Sequence, residues 1–380
     1  MSAKLILPIF SIFTLYAIWY YAEANGLLSL ARESIARNTL PGSEAPLRTS
    51  YTGLTQLDHL LTTLTTFFWP TTDGSHPALT LHTLGFAGTF GSAWILITLE
   101  SWRRGNAWTL AAYPLIFGLS AQTLTFAFAA PLYCALQLST SITYQAPTAV
   151  NVHISRSVLN TLPWAFAVCY LLPSTLMILP ISETLTTDLK QIFIALWQPF
   201  PAYISILLTV INAVLSPFNS AHKTGRKDLR ALRFVYAFAF ANTAITHLVT
   251  WTISLTTVLA PAILDERFRR ELHPSIVFGI PTPWTSPVVQ VQSVADGVHA
   301  FLRWDYLIGS MAVVLWAGTL NAAAQRVVYG AVGWLRLVVQ VVLLAVVAGP
   351  VGAAVELVWE RDELVMTGMG RVTKTSEKPK

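Results

Sequence analysis

The chain has 380 residues, 54% of them hydrophobic and only 11% charged, against about 25% charged in soluble domains. That balance excludes a water-soluble globular protein, and no polar stretch of roughly 100 residues is left over for a soluble catalytic domain. The formal net charge of +5 sits in loops and in the tail residues Arg371, Lys374, Lys378 and Lys380, which suits lipid headgroups and not nucleic acid.

A hydrocarbon core of about 30 Å needs roughly twenty apolar residues per helix. Stretches of that kind fall at 4–22, 79–99, 113–137, 160–180, 198–215, 233–260, 304–323 and 331–355. They predict an all-α polytopic transmembrane bundle of about eight spans. The first has only Lys4 before it and no small-x-small cleavage site, so it reads as a signal anchor. Residues 23–78 are polar at first and then run into Leu60-Leu61 and Phe67-Phe68-Trp69-Pro70, a segment too short to span and suited to a re-entrant or interfacial helix. The 113–137 run is the longest without interruption, with Pro114 and Pro131 as possible kinks. Pro163, Pro173 and Pro180 interrupt 160–180.

Residues 216–232 form the most basic loop, with His222, Lys223, Arg226, Lys227 and Arg230. Residues 261–303 open on a charged run and continue through Ile280-Pro281-Thr282-Pro283-Trp284, which reads as a cap over the bundle or a loop on the headgroups. The whole chain reads as a single membrane domain. It comprises an anchor and polar loop (1–53), the interfacial segment (54–78), a helical core (79–357) and a basic tail (358–380). Lys and Arg divide evenly between the two sides of eight spans, so they leave orientation open, with the basic tail favouring cytoplasmic termini. Oligomeric state is equally open. Cys134 and Cys169 lie inside apolar stretches, against a disulfide framework or a cysteine metal site.

Ionisable groups at membrane depth are expensive and default to function. Asp73 precedes the second span, Glu100 ends it, His247 is in mid-span, and Asp305 opens the seventh. Each also has a structural reading. Asp73 before Gly74 is turn chemistry, and Glu100 with Arg103 is an ion pair at a helix end. Asp305 near Arg303 is a snorkelling charge, and His247 is a buried hydrogen-bonded histidine. Asn106 suits a helix cap; Gln122 and Asn212 suit interhelical glue. The joint pattern points further, because three carboxyls near helix ends keep company with Trp69, Trp94, Trp102, Trp251, Trp304 and Trp316. A desolvated acid can protonate an alkene or epoxide, and aromatic faces stabilise the resulting carbocation. An interfacial aromatic belt accounts for some of the tryptophans. No paired Asp-rich motif, His-rich boxes, HExxH, GxGxxG or GxxxxGK[ST] occurs.

The residues Phe68-Trp69-Pro70, Asp73-Gly74, Trp94, Leu99-Glu100-Ser101, Arg104-Gly105-Asn106, Gln122, Pro131-Leu132-Tyr133, Phe301-Leu302 and Trp304-Asp305 resemble a group of fungal integral-membrane terpene cyclases. That group serves meroterpenoid pathways of the ascochlorin, ascofuranone and macrophorin type. The similarity covers most of 55–320 and is strongest over 67–133. It implies an acid-initiated, metal-independent cyclisation of a farnesyl chain on an aromatic or polyketide partner, through an epoxide or alkene, with no cofactor. It further implies a hydrophobic prenylated substrate, contact with membrane lipid and a multi-pass place in the endoplasmic reticulum. Asp73, Glu100 and Asp305 are its candidate catalytic residues. Trp69, Arg104, Asn106, Gln122, His247, Trp251 and Trp304 are candidate substrate contacts, and no metal ligand is expected. Arg303 departs from the neutral residue the pattern implies. An isomerase or hydrolase acting on a prenylated intermediate, a transporter or exporter of a hydrophobic metabolite, and a non-catalytic receptor or scaffold are the alternatives.

Overall fold

The structure is a computed structural model that describes residues 2–215 and 226–368. Residues 216–225 of the basic loop and 369–380 of the basic tail lie outside the described residues. The chain is an all-α polytopic membrane protein, with no strand among the described residues. Its main helices are α1 (Ala3–Ala24), α2 (Leu27–Arg37), α3 (Thr55–Thr72), α4 (Pro77–Ser101), α5 (Pro114–Thr123) and α6 (Phe126–Thr140). After them come α7 (Arg156–Ile178), α8 (Thr187–Trp197), α9 (Phe200–Leu215), α10 (Arg226–Leu259), α11 (Val294–Tyr329) and α12 (Trp334–Thr367).

By length and composition alone, fewer than eight helices qualify as spans among the described residues. Among the described residues, α1, α7, α10, α11 and α12 are long and apolar enough to cross a membrane, and α8 with α9, bent by 57°, makes a sixth if counted as one span. The stretch at 79–99 forms α4, which is long enough but carries too much Thr, Ser, His and Gly to meet the same test. It tolerates them because α10, α11, α12 and α5 pack around it and α4 is buried from Gly88 to Ser101. The run at 113–137 is not one helix. It breaks at Leu124-Thr125, where Thr125 has φ 126°, into the half-helices α5 and α6.

Prolines inside helices free the carbonyl four residues earlier, and neighbouring side chains take up two of these. Pro131 frees the Ala127 carbonyl, which accepts the Thr14 hydroxyl of α1 at 3.0 Å. Pro350 frees the Val346 carbonyl, at a point where Gly349 has φ 76° and interrupts α12. His247 reaches that carbonyl with Nε2 at 3.1 Å. A carbonyl only accepts, so the ring carries its proton on Nε2. In α7, Pro163 and Pro173 flank a short π stretch, Ala167–Leu171, and the helix runs through both.

The proline-rich connection after α10 is pinned to α11. Arg303 donates to the carbonyls of Ile276 and Gly279 (3.2 and 2.5 Å), and Trp304 Nε1 donates to Pro281 O at 2.9 Å. The Trp304 ring meets Trp284 edge-on at 6.1 Å. This segment is therefore a cap held by named contacts, and Trp304 is one of its pins.

Candidate functional site

A cavity of about 710 Å³ lies among α3, α4, α5, α7 and α11. Its walls are nearly all apolar and rich in rings, and the rings brace one another. Phe90 meets Phe126 at 5.2 Å, Trp197 meets Phe68 at 5.4 Å, and Phe301 meets Phe67 at 4.9 Å and Trp19 at 5.6 Å. Interlocked rings hold their faces in place, so a cationic guest would find negative quadrupole density already oriented.

Asp305 is the carboxyl on this wall, 5% exposed. The break between α5 and α6 exists where Asp305 needs it. A helix start leaves N–H groups without partners, and the start of α6 aims them at this side chain: Ala127 N–H donates to Oδ1 at 2.5 Å. The Phe126 N–H and the Thr125 hydroxyl also face the carboxyl. Thr125 meanwhile caps the helix by accepting from Phe128 N–H at 3.1 Å. Asp305 makes no ion pair among the described residues. Arg303, two positions away, spends its guanidinium on the cap carbonyls and on His299 O.

Gly309, four residues on, faces the same half-helix. A Cβ there would overlap the Phe126 ring. Gly309→Ala is therefore expected to displace the start of α6 from Asp305. Overpacking of this kind costs about 1–3 kcal/mol, and turnover should fall along with the melting temperature. A variant with wild-type stability and turnover would show that the contact has slack.

Gln122 also lines the cavity, one turn before the break. It is 9% exposed, and its amide Nε2 has no hydrogen-bond partner. That leaves a donor available to an oxygen on a guest. Asp73 is at the rim: Thr71, Thr72 and Gly74 line the cavity, while its own carboxylate accepts from Ser75 N–H (2.9 Å) and the Ser75 hydroxyl (2.7 Å) in a turn.

Glu100 is elsewhere. It is fully buried between Arg103 (2.5 Å) and Arg361 (2.8 Å), and it also accepts from Thr143 (2.5 Å), Gln137 (3.0 Å) and Asn106 (3.1 Å). Asp362 completes the cluster through Arg103 and the Tyr236 hydroxyl. Two guanidinium groups face two carboxylates, so charge is balanced. Gln137 links Glu100 to Trp316, whose Nε1 donates to the Gln137 carbonyl oxygen at 2.8 Å. Trp316 lies eleven residues beyond Asp305 on α11, about 16 Å along the helix at 1.5 Å per residue, so the Glu100 cluster meets α11 well away from the Asp305 carboxyl. The structure does not bring Glu100 and Asp305 to one reacting atom.

The other candidate residues divide in the same way. Asn106 belongs to the Glu100 cluster, and Arg104 is exposed on a one-turn helix. Trp69 is buried outside the large cavity, with Lys190 Nζ 5.9 Å from its ring centre. His247 and Trp251 border a second, smaller chamber. Sequence reasoning missed Phe90, Phe126, Trp197 and Phe301 as lining groups. An isolated Phe in an apolar run looks the same whether it fills a core or walls a cavity. Among the described residues, no group of three or more His, Cys, Asp or Glu could hold a metal ion.

Residues 3–366 match the CtvD domain. The chain is 33% identical to terpene cyclase ctvD of Aspergillus terreus over 93% of its length and 97% of that protein's. It is 31% identical to terpene cyclase ascI of Acremonium egyptiacum (91% and 87%), and 28% identical to terpene cyclase penA of Penicillium crustosum (93% and 94%). No solved structure matches. With the domain matched over nearly its full length, the chain belongs to the CtvD domain family.

Proposed function

We propose that this protein cyclises a prenyl chain in the 710 Å³ cavity, with Asp305 as the acid that starts the reaction. The terpene cyclase role follows from its family and sets aside a transporter, and the chain is an enzyme of terpenoid biosynthesis. What carries the residue assignment is the placement of an unpaired carboxyl at the start of a half-helix, on the wall of a ring-lined cavity. An unpaired carboxyl is cheaper to bury with its proton than without it. When the proton leaves, the N–H groups at the start of α6 receive the carboxylate.

In the proposed reaction the Asp305 proton goes to the oxygen of a terminal epoxide, or to a carbon of a terminal alkene. For the epoxide, the C–O bond breaks, its electrons stay on oxygen as a hydroxyl, and the positive charge develops on carbon. The π electrons of the next double bond close the ring, and the charge moves along the chain under the faces of the aromatic wall. Loss of a C–H proton from the last cation to solvent restores an alkene, and solvent returns one proton to the Asp305 carboxylate. The product is an isomer of the substrate, and the proton count closes without a cofactor. Gln122 is suited to hold the oxygen that receives the proton.

The substrate we infer is a farnesyl chain on an aromatic or polyketide head, of the kind made in fungal secondary metabolism. We read the chain as one membrane domain of the endoplasmic reticulum. Microsomes from a host expressing it, fed an epoxyfarnesyl phenol, should yield a cyclised isomer that empty-vector microsomes do not. No conversion across epoxide and alkene forms would remove the reading. Since no diphosphate leaves, conversion should also survive excess EDTA. Activity lost to EDTA and restored by Mg²⁺ would replace protonation with ionisation.

A further inference from the structure

His82 on α4 has no part in the reading above. It is 4% exposed, and neither ring nitrogen completes a hydrogen bond, although the Leu302 carbonyl lies close by. Its ring faces His299 at 5.5 Å and Tyr306 at 5.8 Å. His299 gives its own Nε2–H to Val277 O at 3.0 Å, and no hydrogen bond joins the two rings. A neutral imidazole keeps one N–H donor and one lone pair. Burying both unmatched is unfavourable, and so a guest that satisfies them gains by it.

His82 opens onto a chamber of about 200 Å³ between α4, α10 and α11. An apolar cavity of about 150 Å³ takes up benzene, so this one has room for a single ring with a substituent. Aromatic rings line it: Trp251 and Phe278 stack at 4.1 Å, and Phe86 is a third wall residue. No carboxylate or ammonium lines it, which disfavours a charged guest. Thr250 is engaged with Thr246 O at 2.7 Å, His247 gives its Nε2–H to Val346 O, and the Tyr306 hydroxyl lies by Thr89. His82 is the side chain on this wall with both polar atoms buried and unpartnered. Phe86 lines the large cavity as well, so the two spaces meet at one ring.

We propose that the small chamber binds a neutral, hydroxyl-bearing aromatic ring with His82 as its hydrogen-bond partner. This ring is the head of a substrate whose prenyl chain passes Phe86 into the large cavity. The second half of the proposal rests on the cyclase reading; the first does not.

The test reads binding, not turnover. Full-length protein in lipid nanodiscs is titrated with 4-fluorophenol and with 4-fluorotoluene by fluorine NMR, with empty nanodiscs to subtract partitioning. The phenol should saturate a site about tenfold more tightly than the toluene, the scale of one neutral hydrogen bond. His82→Phe keeps an aromatic ring and removes the unmatched nitrogens, so the preference should disappear with the fold intact. A second measurement needs no variant: in protein labelled with ¹⁵N-histidine, the phenol and not the toluene should shift the ring nitrogens of a buried histidine. Equal affinities, no histidine shift, or a preference that survives His82→Phe would overturn the site. Failure to cyclise a prenylated phenol would overturn the cyclase reading and with it the second half of the proposal, and would leave the aromatic site at His82 standing.

Discussion

Asp305→Asn is expected to lower cyclase turnover by about two to four orders of magnitude, the usual contribution of a positioned acid, with the protein still folded in the membrane. Asparagine keeps the size of the side chain, and its oxygen can still accept the Ala127 N–H now 2.5 Å from Oδ1. It adds no buried charge. What it lacks is an acidic proton, so a loss of conversion at equal expression isolates that one property. Asp305→Glu keeps the acid but pushes it a methylene further toward the α5–α6 break, and should recover only part of the rate. The measurement is conversion of an epoxyfarnesyl phenol by microsomes, normalised to folded protein. Near wild-type conversion by Asp305→Asn would sink the assignment and leave Asp73, at the cavity rim, as the next carboxyl to test.

How much of this was legible in the sequence depends on the range of the interactions involved. The membrane class was legible because it rests on composition and on runs of apolar residues. The break at Thr125 was not. Neither Gly nor Pro stands at 124–125, and the contact that accompanies the break is remote in sequence: Ala127 N–H, just beyond it, donates to the Asp305 carboxyl 178 residues on. Pro131 was visible as a possible kink and Pro350 was not singled out, and the partners of the carbonyls they free, Thr14 and His247, lie 113 and 99 residues away. Charged residues at depth are rare enough to pick out, and so Asp305 and Glu100 both stood out. Nothing local separates their roles. One faces helix N–H groups and a cavity, while the other is closed in by Arg361 from the far end of the chain. His82 gave no signal, since a lone histidine in a Thr-rich stretch looks the same whether its nitrogens are satisfied or not.

Glu100→Gln is expected to act on the fold. In the native cluster Glu100 neutralises the guanidinium groups of Arg103 and Arg361, all three side chains fully buried. With the charge removed, Asp362 alone must balance two cations. Removing one partner of a buried pair costs about 3–5 kcal/mol, because the remaining charge has no water to return to. Native stability is itself only about 5–15 kcal/mol, so the variant should accumulate poorly and melt well below wild type in detergent. The molecules that do fold should retain turnover, since Glu100 does not line the cavity and its cluster meets α11 at Trp316, eleven residues beyond Asp305. Arg361→Gln alone should be similarly destabilised, whereas Glu100→Gln combined with Arg361→Gln restores the charge balance. The double variant should therefore melt higher than the sum of the single losses allows, as contacting residues do in a double-mutant cycle. Burial shields the pairs from salt, so the deficit should persist at high ionic strength. A Glu100→Gln variant that melts like wild type but has lost a hundredfold or more in turnover would reverse the assignment and return Glu100 to the chemistry.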